Sequence, residues 1–110
     1  MNWFYPITFS MDPEDPDVVE VEWVYCLDYT HFGPPELALL HALYAALPGW
    51  RGWHDQQPYW FGADEAEVPH LWASLEPPGV QVAGVLRQSD WEAWDSAFQT
   101  QAHILPRRVM

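Results

Sequence analysis

Apolar side chains recur at every second position in the first third of the chain. One series consists of Trp3, Tyr5, Ile7, Phe9 and Met11. A second consists of Val19, Val21, Trp23, Tyr25, Leu27 and Tyr29, with Glu20, Glu22 and Asp28 on the other face. Such alternation is typical of strands with one face on a core and the other partly in water. The pattern predicts a β-hairpin closed by residues 12–17, and Pro6 indicates an edge position or a bulge in its first strand.

The next element is a helix of unusual composition. Leu37–Leu47 contains one clearly polar residue, His41, and Pro48 with Gly49 ends it. A helix that is apolar almost all round is covered on more than one side. We therefore expect it to pack under the sheet and to contact either a second helix or a second copy of the chain, which makes a homodimer through Leu37–Leu47 compatible with the sequence.

The remaining elements are a short strand, a second hairpin and a last helix. The strands are predicted at 59–61, 70–76 and 80–87, after a tryptophan-rich loop from residue 49. Ser89 and Glu92 have the spacing of a capping box at the start of the helix. Its inward stripe is Trp91, Trp94, Phe98 and Ala102, and residues 103–110 are compatible with a final short strand.

The predicted order is β-β-α-β-β-β-α, with an optional last strand. Paired hairpins with two helices favour an α+β fold in two layers, with a mainly antiparallel sheet covered on one face. A length of 110 residues favours a single domain, 1–110.

Charge narrows the range of partners. The chain has 16 acidic and four basic residues, all arginine, for a net charge of −12. The apolar fraction of 49% is that of a globular protein rather than of a disordered acidic tail. Direct binding to nucleic acid or to an anionic membrane needs clustered Lys and Arg, so neither partner is expected.

The compartment is expected to be the cytoplasm. Residues 1–10 contain no positive charge, so no signal peptide is recognised there. The apolar segment Leu37–Leu47 is too short to span a bilayer, and one cysteine, Cys26, cannot form an intrachain disulfide.

The acidic residues are concentrated on the first hairpin. Its loop contains Asp12, Glu14, Asp15 and Asp17. Residues 1–50 carry eight carboxylates and no Lys or Arg, so this half cannot neutralise its own field. Together with Glu20 and Glu22, the loop predicts a docking surface for a basic partner. A solvated loop is the alternative, and a cation site is disfavoured because Asp17 stands where the calcium-binding EF-hand pattern requires glycine.

Aromatic residues are concentrated between residues 50 and 61. This segment contains Trp50, Trp53, Tyr59, Trp60 and Phe61. Tryptophan and arginine dominate binding hot spots, so Trp50, Trp53 and Trp60 are predicted partner-binding anchors. Core packing and a carbohydrate platform are the alternatives.

No motif indicates catalysis. His54 and Asp55 are neighbours whose side chains point apart on an extended segment, and no histidine pair has zinc-site spacing. Nucleotide-binding glycine loops and serine-hydrolase motifs are missing from the sequence. We therefore expect no enzyme activity, no catalytic residue, no cofactor and no metal.

A short, acidic, aromatic-rich α+β chain of this kind is similar, in composition and class only, to bacterial toxin-immunity proteins and small inhibitors. The leading hypothesis is an acidic protein-binding module that neutralises a basic protein partner such as a toxin or nuclease. One alternative is a phage-type nucleic-acid mimic, which predicts two rows of carboxylates. The other is a small-ligand or carbohydrate binder, or an enzyme, with a concave site near Trp53, His54 and Trp60.

Overall fold

The computed structural model describes residues 3–106 as a six-stranded antiparallel sheet with two helices on one face. The strands are β1 (Phe4–Met11), β2 (Val18–Tyr25), β3 (Trp50–His54), β4 (Gln57–Trp60), β5 (His70–Glu76) and β6 (Gly79–Arg87). The helices are α1 (Pro34–Ala46) and α2 (Gln88–Gln101), and single 3-10 turns lie at Tyr29–His31 and Ala102–Ile104. Across the sheet the order is β1-β2-β6-β5-β4-β3. The predicted α+β class and element order are confirmed.

One strand lies where the sequence indicated a loop. β3 pairs with β4 through a two-residue turn, in which Asp55 and Gln56 have φ angles of 52° and 67°. This left-handed geometry matches the twist of a hairpin, but it is usually provided by Asn or Gly. The sequence therefore does not indicate the turn, although the segment before it forms an edge strand of the sheet.

The helix ends also differ from the prediction. α2 begins at Gln88, immediately after β6, so Ser89 is already helical and no side chain caps the helix. α1 begins at Pro34, and the N–H of Gly33 donates to the Glu36 carboxylate at 2.6 Å. After α2 the chain forms a 3-10 turn rather than the optional strand, whose last residues, 107–110, lie outside the described residues.

The first hairpin contains a bulge that interrupts its alternation. Pro6 pairs with Trp23 and Thr8 with Glu22, so Ile7 is an additional residue in β1. Phe9 consequently shares the helix-covered face with Val21, whereas Tyr5 does not. The single face predicted for Trp3 to Met11 is therefore wrong. β2 also ends at Tyr25, so Asp28 and Tyr29 lie beyond the strand.

Trp60 links the sheet to both helices. Its side chain is completely buried, and its ring centroid lies 5.3 Å from Tyr44 of α1 and 5.0 Å from Trp94 of α2. The indole N–H donates to the Tyr44 carbonyl oxygen at 3.0 Å. Trp94 continues the contact to Phe98 and Tyr25, with centroids 5.3 and 6.2 Å away. The core is thus a connected aromatic layer.

A polar group is buried beside this layer. The Tyr25 hydroxyl donates to Asp95 Oδ1 at 2.5 Å, and Gln99 Nε2 donates to the same oxygen at 2.9 Å. Burial, and secondarily the negative charge of Asp95, hold the pKa of Tyr25 well above its usual value. Burial also raises the pKa of Tyr44.

α1 buries one side against the sheet. Its buried side chains are Leu40, Leu43 and Tyr44, whereas Leu37 and Leu39 are 37% and 44% exposed. A homodimer contact on this outer side stays a prediction. Neither helix between residues 3 and 106 has the length and apolarity needed to cross a membrane.

We expect Trp60→Ala to lower the free energy of unfolding by about 3–5 kcal/mol, the usual cost of removing a large buried aromatic side chain. Trp53→Ala is the control, because Trp53 is 45% exposed, and we expect a loss of about 1 kcal/mol or less for it. Urea unfolding followed by far-UV circular dichroism measures both. Equal losses would contradict the central position of Trp60.

We expect Tyr44→Phe to change stability mainly at alkaline pH. The pKa of Tyr44 is raised in the folded state, so both states keep the proton below pH 10, and above it the unfolded state alone loses the proton. Above pH 10, each tyrosine of this kind therefore lowers the free energy of unfolding by about 1.4 kcal/mol for every further pH unit. Urea unfolding of both proteins at intervals from pH 8 to 11 tests this, and parallel curves above pH 10 would contradict it.

Candidate functional site

The sheet face opposite the helices, here called the open face, carries Glu20 and Glu22 of the first hairpin. The strand register aligns one row of side chains across five strands: Thr8, Glu22, Ala83, Trp72 and Tyr59. Residues in register on adjacent strands point to the same side of a sheet. The next row includes Glu20, paired with Ser10 and Val85. The predicted position of Glu20 and Glu22 on one face, away from the core, agrees with this register.

Three adjoining depressions follow this face. Ser10, Asp12 and Glu20 line the first, of about 260 Å³. Glu20, Glu22 and Glu65 line the second, of about 310 Å³. Glu22 and Glu76 line the third, of about 230 Å³. Because neighbouring depressions share Glu20 or Glu22, we describe them together as the acidic trough, bordered by Asp12, Glu20, Glu22, Glu65 and Glu76.

Within residues 3–106, the carboxylates of the acidic trough form no ion pair with a basic side chain. In the part of the chain from residue 3 to residue 106, no ion pair or hydrogen bond involves the side chain of Glu20, Glu22 or Glu65. Of the two arginines in that part, Arg51 lies on β3 at the far edge, and Arg87 lies at the margin of the open face. Like charges held on a sheet face repel one another, so the residues from 3 to 106 give the trough a net negative field.

Apolar side chains also line the trough. Trp72 lies between the second and third depressions and is partly exposed. Ala83 and Val85 lie beside it, and Val24 on the same face is completely buried. Sequence reasoning missed Trp72, although a tryptophan at the position between Leu71 and Ala73 must face away from the core.

The loop that carries Glu65 is fixed to the sheet. His70 is 7% exposed, and its Nδ1 donates to the Glu67 carbonyl oxygen at 2.6 Å. The Glu67 carboxylate accepts the N–H of Ala63 at 3.1 Å. These bonds hold the loop over the trough, which explains why a residue distant in sequence joins Glu20 and Glu22.

The loop of the first hairpin has its own internal order. Asp12 accepts the N–H of Glu14 at 2.8 Å, and Asp15 accepts that of Asp17 at 3.2 Å. Its carboxylates are exposed, and Asp12 reaches the trough. Asp17 lies at another depression, beside Arg87. No three His, Cys, Asp or Glu side chains within residues 3–106 are grouped so that they could hold a metal ion.

The predicted tryptophan anchors lie elsewhere. Trp60 is in the core, and Trp50 packs against it at 5.6 Å between ring centroids. Trp53 is 45% exposed and borders a depression of about 330 Å³ between α1 and the β3–β4 turn, with its ring 4.9 Å from that of His41. This edge of the sheet is opposite to β1, so the structure does not bring the tryptophans together with the carboxylates of the first hairpin.

Comparison of the chain with protein-family models, with curated proteins and with solved structures found no match. The geometry and charge of the acidic trough are therefore the features that bear on function.

We expect the double variant Glu20→Gln/Glu22→Gln to be more stable than the native chain by about 0.5 kcal/mol at low ionic strength, because it removes repulsion between neighbouring carboxylates. This gain in stability should vanish in 0.5 M NaCl, because the Debye length falls to roughly 4 Å and the repulsion is screened. Thermal unfolding at both salt concentrations measures it. A loss of stability at low salt would show that these carboxylates have stabilising partners.

Proposed function

We propose that the protein is an acidic protein-binding module that captures a basic partner in the acidic trough and thereby inhibits it, as a cytoplasmic immunity-type protein inhibits a toxin or nuclease. The observation that carries this proposal is the position of Trp72. It lines two depressions together with Ala83 and with carboxylates that form no ion pair among residues 3–106.

This arrangement has the features of a binding surface. Protein interfaces combine an apolar centre with a polar rim, and tryptophan is among the residues that contribute most to affinity. The carboxylates attract cationic side chains over several ångströms and accelerate association, while Trp72 provides the area that excludes water. Both contributions arise on one face, which allows one partner to use them together.

Inhibition follows from the charge of the expected partner. A nuclease binds phosphates through clustered Lys and Arg. The same side chains would meet Glu20, Glu22 and Glu65 if that surface docked on the trough, and the active cleft would then be covered. The carboxylates elsewhere lie on loops and both helices rather than in two rows, so no observation favours the nucleic-acid mimic.

A second candidate function is small-ligand binding beside Trp53. The depression between α1 and the β3–β4 turn favours it, because an exposed indole adjoins the polar side chains of His41, Asp55 and Gln57. This site differs from the one the sequence predicted: His54 packs on Tyr59, with ring centroids 5.7 Å apart, and Trp60 is buried.

Affinity capture from the source cell tests the proposed function when three baits are compared. The native chain should recover a basic protein at equal stoichiometry, and Glu20→Gln/Glu22→Gln should recover at least tenfold less. The control bait Asp55→Asn/Glu92→Gln has the same net charge as the trough variant, but Asp55 borders the other depression and Glu92 lies on α2. It should recover as much as the native chain.

The rate of association with the recovered protein should fall as salt is added, because steering by exposed charges is screened. Recovery of the same protein by the native chain and the trough variant in equal amounts would overturn the proposed function. So would recovery of acidic or neutral partners alone.

A further inference from the structure

We propose that the basic partner binds as an extended segment that adds a seventh strand beside β1 and directs alternate Lys or Arg side chains into the acidic trough. This inference rests on the proposed function and specifies how the trough is occupied. It is carried by three features of the first hairpin: the edge that β1 leaves open, the short side chains between that edge and the carboxylates, and the exposed apolar side chains on the other face.

β1 is the more accessible of the two sheet edges. Among the strands of residues 3–106 it pairs only with β2, and it is eight residues long without a charged side chain. The opposite edge, β3, has five residues and an irregularity between Trp50 and Gly52. Proteins protect long edges with charges, proline and bulges. In β1 the proline and the bulge lie at residues 6–8, so Thr8 to Met11 form a regular unprotected edge.

The backbone of this stretch is oriented for strand addition. The N–H of Asp12 donates to the carbonyl oxygen of Val18 across the hairpin at 2.9 Å. In an antiparallel pair, alternate residues direct their N–H and C=O groups to the partner strand. Ser10 and Thr8 therefore face β2, and Phe9 and Met11 present their backbone groups to the outer edge.

The trough is within reach of an added strand. Such a strand would lie two spacings from β2, roughly 9.6 Å from the backbone that carries Glu20 and Glu22. On the open face, the side chains between the added strand and these two carboxylates are those of Thr8 and Ser10, and both line the trough. Because these side chains are short, a Lys or Arg of the added strand can extend over them and meet a carboxylate that extends toward it.

The other face of the edge is suited to apolar side chains. Phe9 and Met11 are 42% and 53% exposed, and Ile7 in the bulge is 53% exposed. Side chains alternate between faces along a strand, so the residues between the basic ones would pack beside Phe9 and Met11. The expected segment therefore alternates Lys or Arg with apolar residues.

Charge selects this occupant over a second copy of the chain. Each copy carries a net charge of −12, and Phe4–Met11 offers no cation to the trough of another molecule. Two copies joined edge to edge would add carboxylates to an already repulsive surface. A basic segment would neutralise the same carboxylates.

Amide hydrogen exchange in the full-length protein, followed by NMR, tests the inference with a defined probe. The probe is a capped peptide of nine residues in which Arg or Lys alternates with Val, and its control is a peptide of the same composition with all basic residues in one block. Without peptide, the amides of Phe9 and Met11 should exchange much faster than those of Thr8 and Ser10. With the alternating peptide, both should slow at least tenfold, and the block peptide should bind at least tenfold more weakly.

The outcomes separate this inference from the proposed function. The alternating peptide could bind the native chain, fail to bind Glu20→Gln/Glu22→Gln, and leave the exchange rates of the Phe9 and Met11 amides unchanged. This result overturns strand addition and leaves the trough as the binding site. Absence of peptide binding overturns strand addition as well, while trough-dependent capture of a basic protein would still support the proposed function. If the Phe9 and Met11 amides exchange slowly without peptide, and exchange still more slowly at higher protein concentration, the occupant is a second copy of the chain. This result also overturns the inference.

A pair of variants tests the backbone contribution separately. Phe9→Pro and Phe9→Ala both remove the ring that packs 6.2 Å from Trp23, but Phe9→Pro also removes the outward N–H. We expect Phe9→Pro to bind the alternating peptide at least tenfold more weakly than Phe9→Ala, with both variants folded by near-UV circular dichroism. Equal affinities of the two folded variants for the alternating peptide would overturn strand addition. If Phe9→Pro does not fold, the exchange rates of the Phe9 and Met11 amides in the native chain decide between the two outcomes.

Discussion

The packing of Trp60 between the two helices is the contact on which the rest of the structure depends. A sheet of six strands is too wide for one helix, and α1 and α2 cover different parts of it. Trp60 joins these parts, because it touches Tyr44 on one side and Trp94 on the other and satisfies its own N–H on the Tyr44 carbonyl. Because this layer packs on one side of the sheet, Glu20 and Glu22 on the opposite face lie outside it.

The two faces consequently differ in how they handle polar groups. On the helix side, the buried Tyr25 hydroxyl has Asp95 as its acceptor, and Gln99 donates to the same carboxylate. A buried polar group without a partner is costly, so these hydrogen bonds stabilise the core. On the open face, Glu20 and Glu22 have no such partners among residues 3–106, and both are at least partly exposed. Their mutual repulsion is expected to lower stability, so the fold itself gives no reason for placing them side by side.

The sequence predicts the hairpin, both helices and the position of Glu20 and Glu22, because these features depend on local periodicity. Three features escape it for physical reasons. The bulge at Ile7 places Tyr5 on the face opposite to Phe9, and a period-two pattern contains no information about an inserted residue. The left-handed turn at Asp55 and Gln56 separates exposed Trp53 from buried Trp60, although both appear in one aromatic run. Glu65 joins the trough through a hydrogen bond of His70 to its loop, a contact between distant elements that no local pattern shows.

The location of the charge also resolves a conflict in the first hairpin. A regular strand edge with exposed Phe9 and Met11 is a template for association with other chains, including copies of itself. Charged side chains on the edge itself would prevent this, but they would also obstruct a partner's backbone. Here the carboxylates are placed one strand inward, behind Thr8 and Ser10. From that position they repel any acidic chain, including this one, and attract a basic one, while the backbone of the edge stays accessible. A single electrostatic field would thus provide both the attraction to the proposed basic partner and the protection against self-association, and the short residues of β1 would allow it to do both.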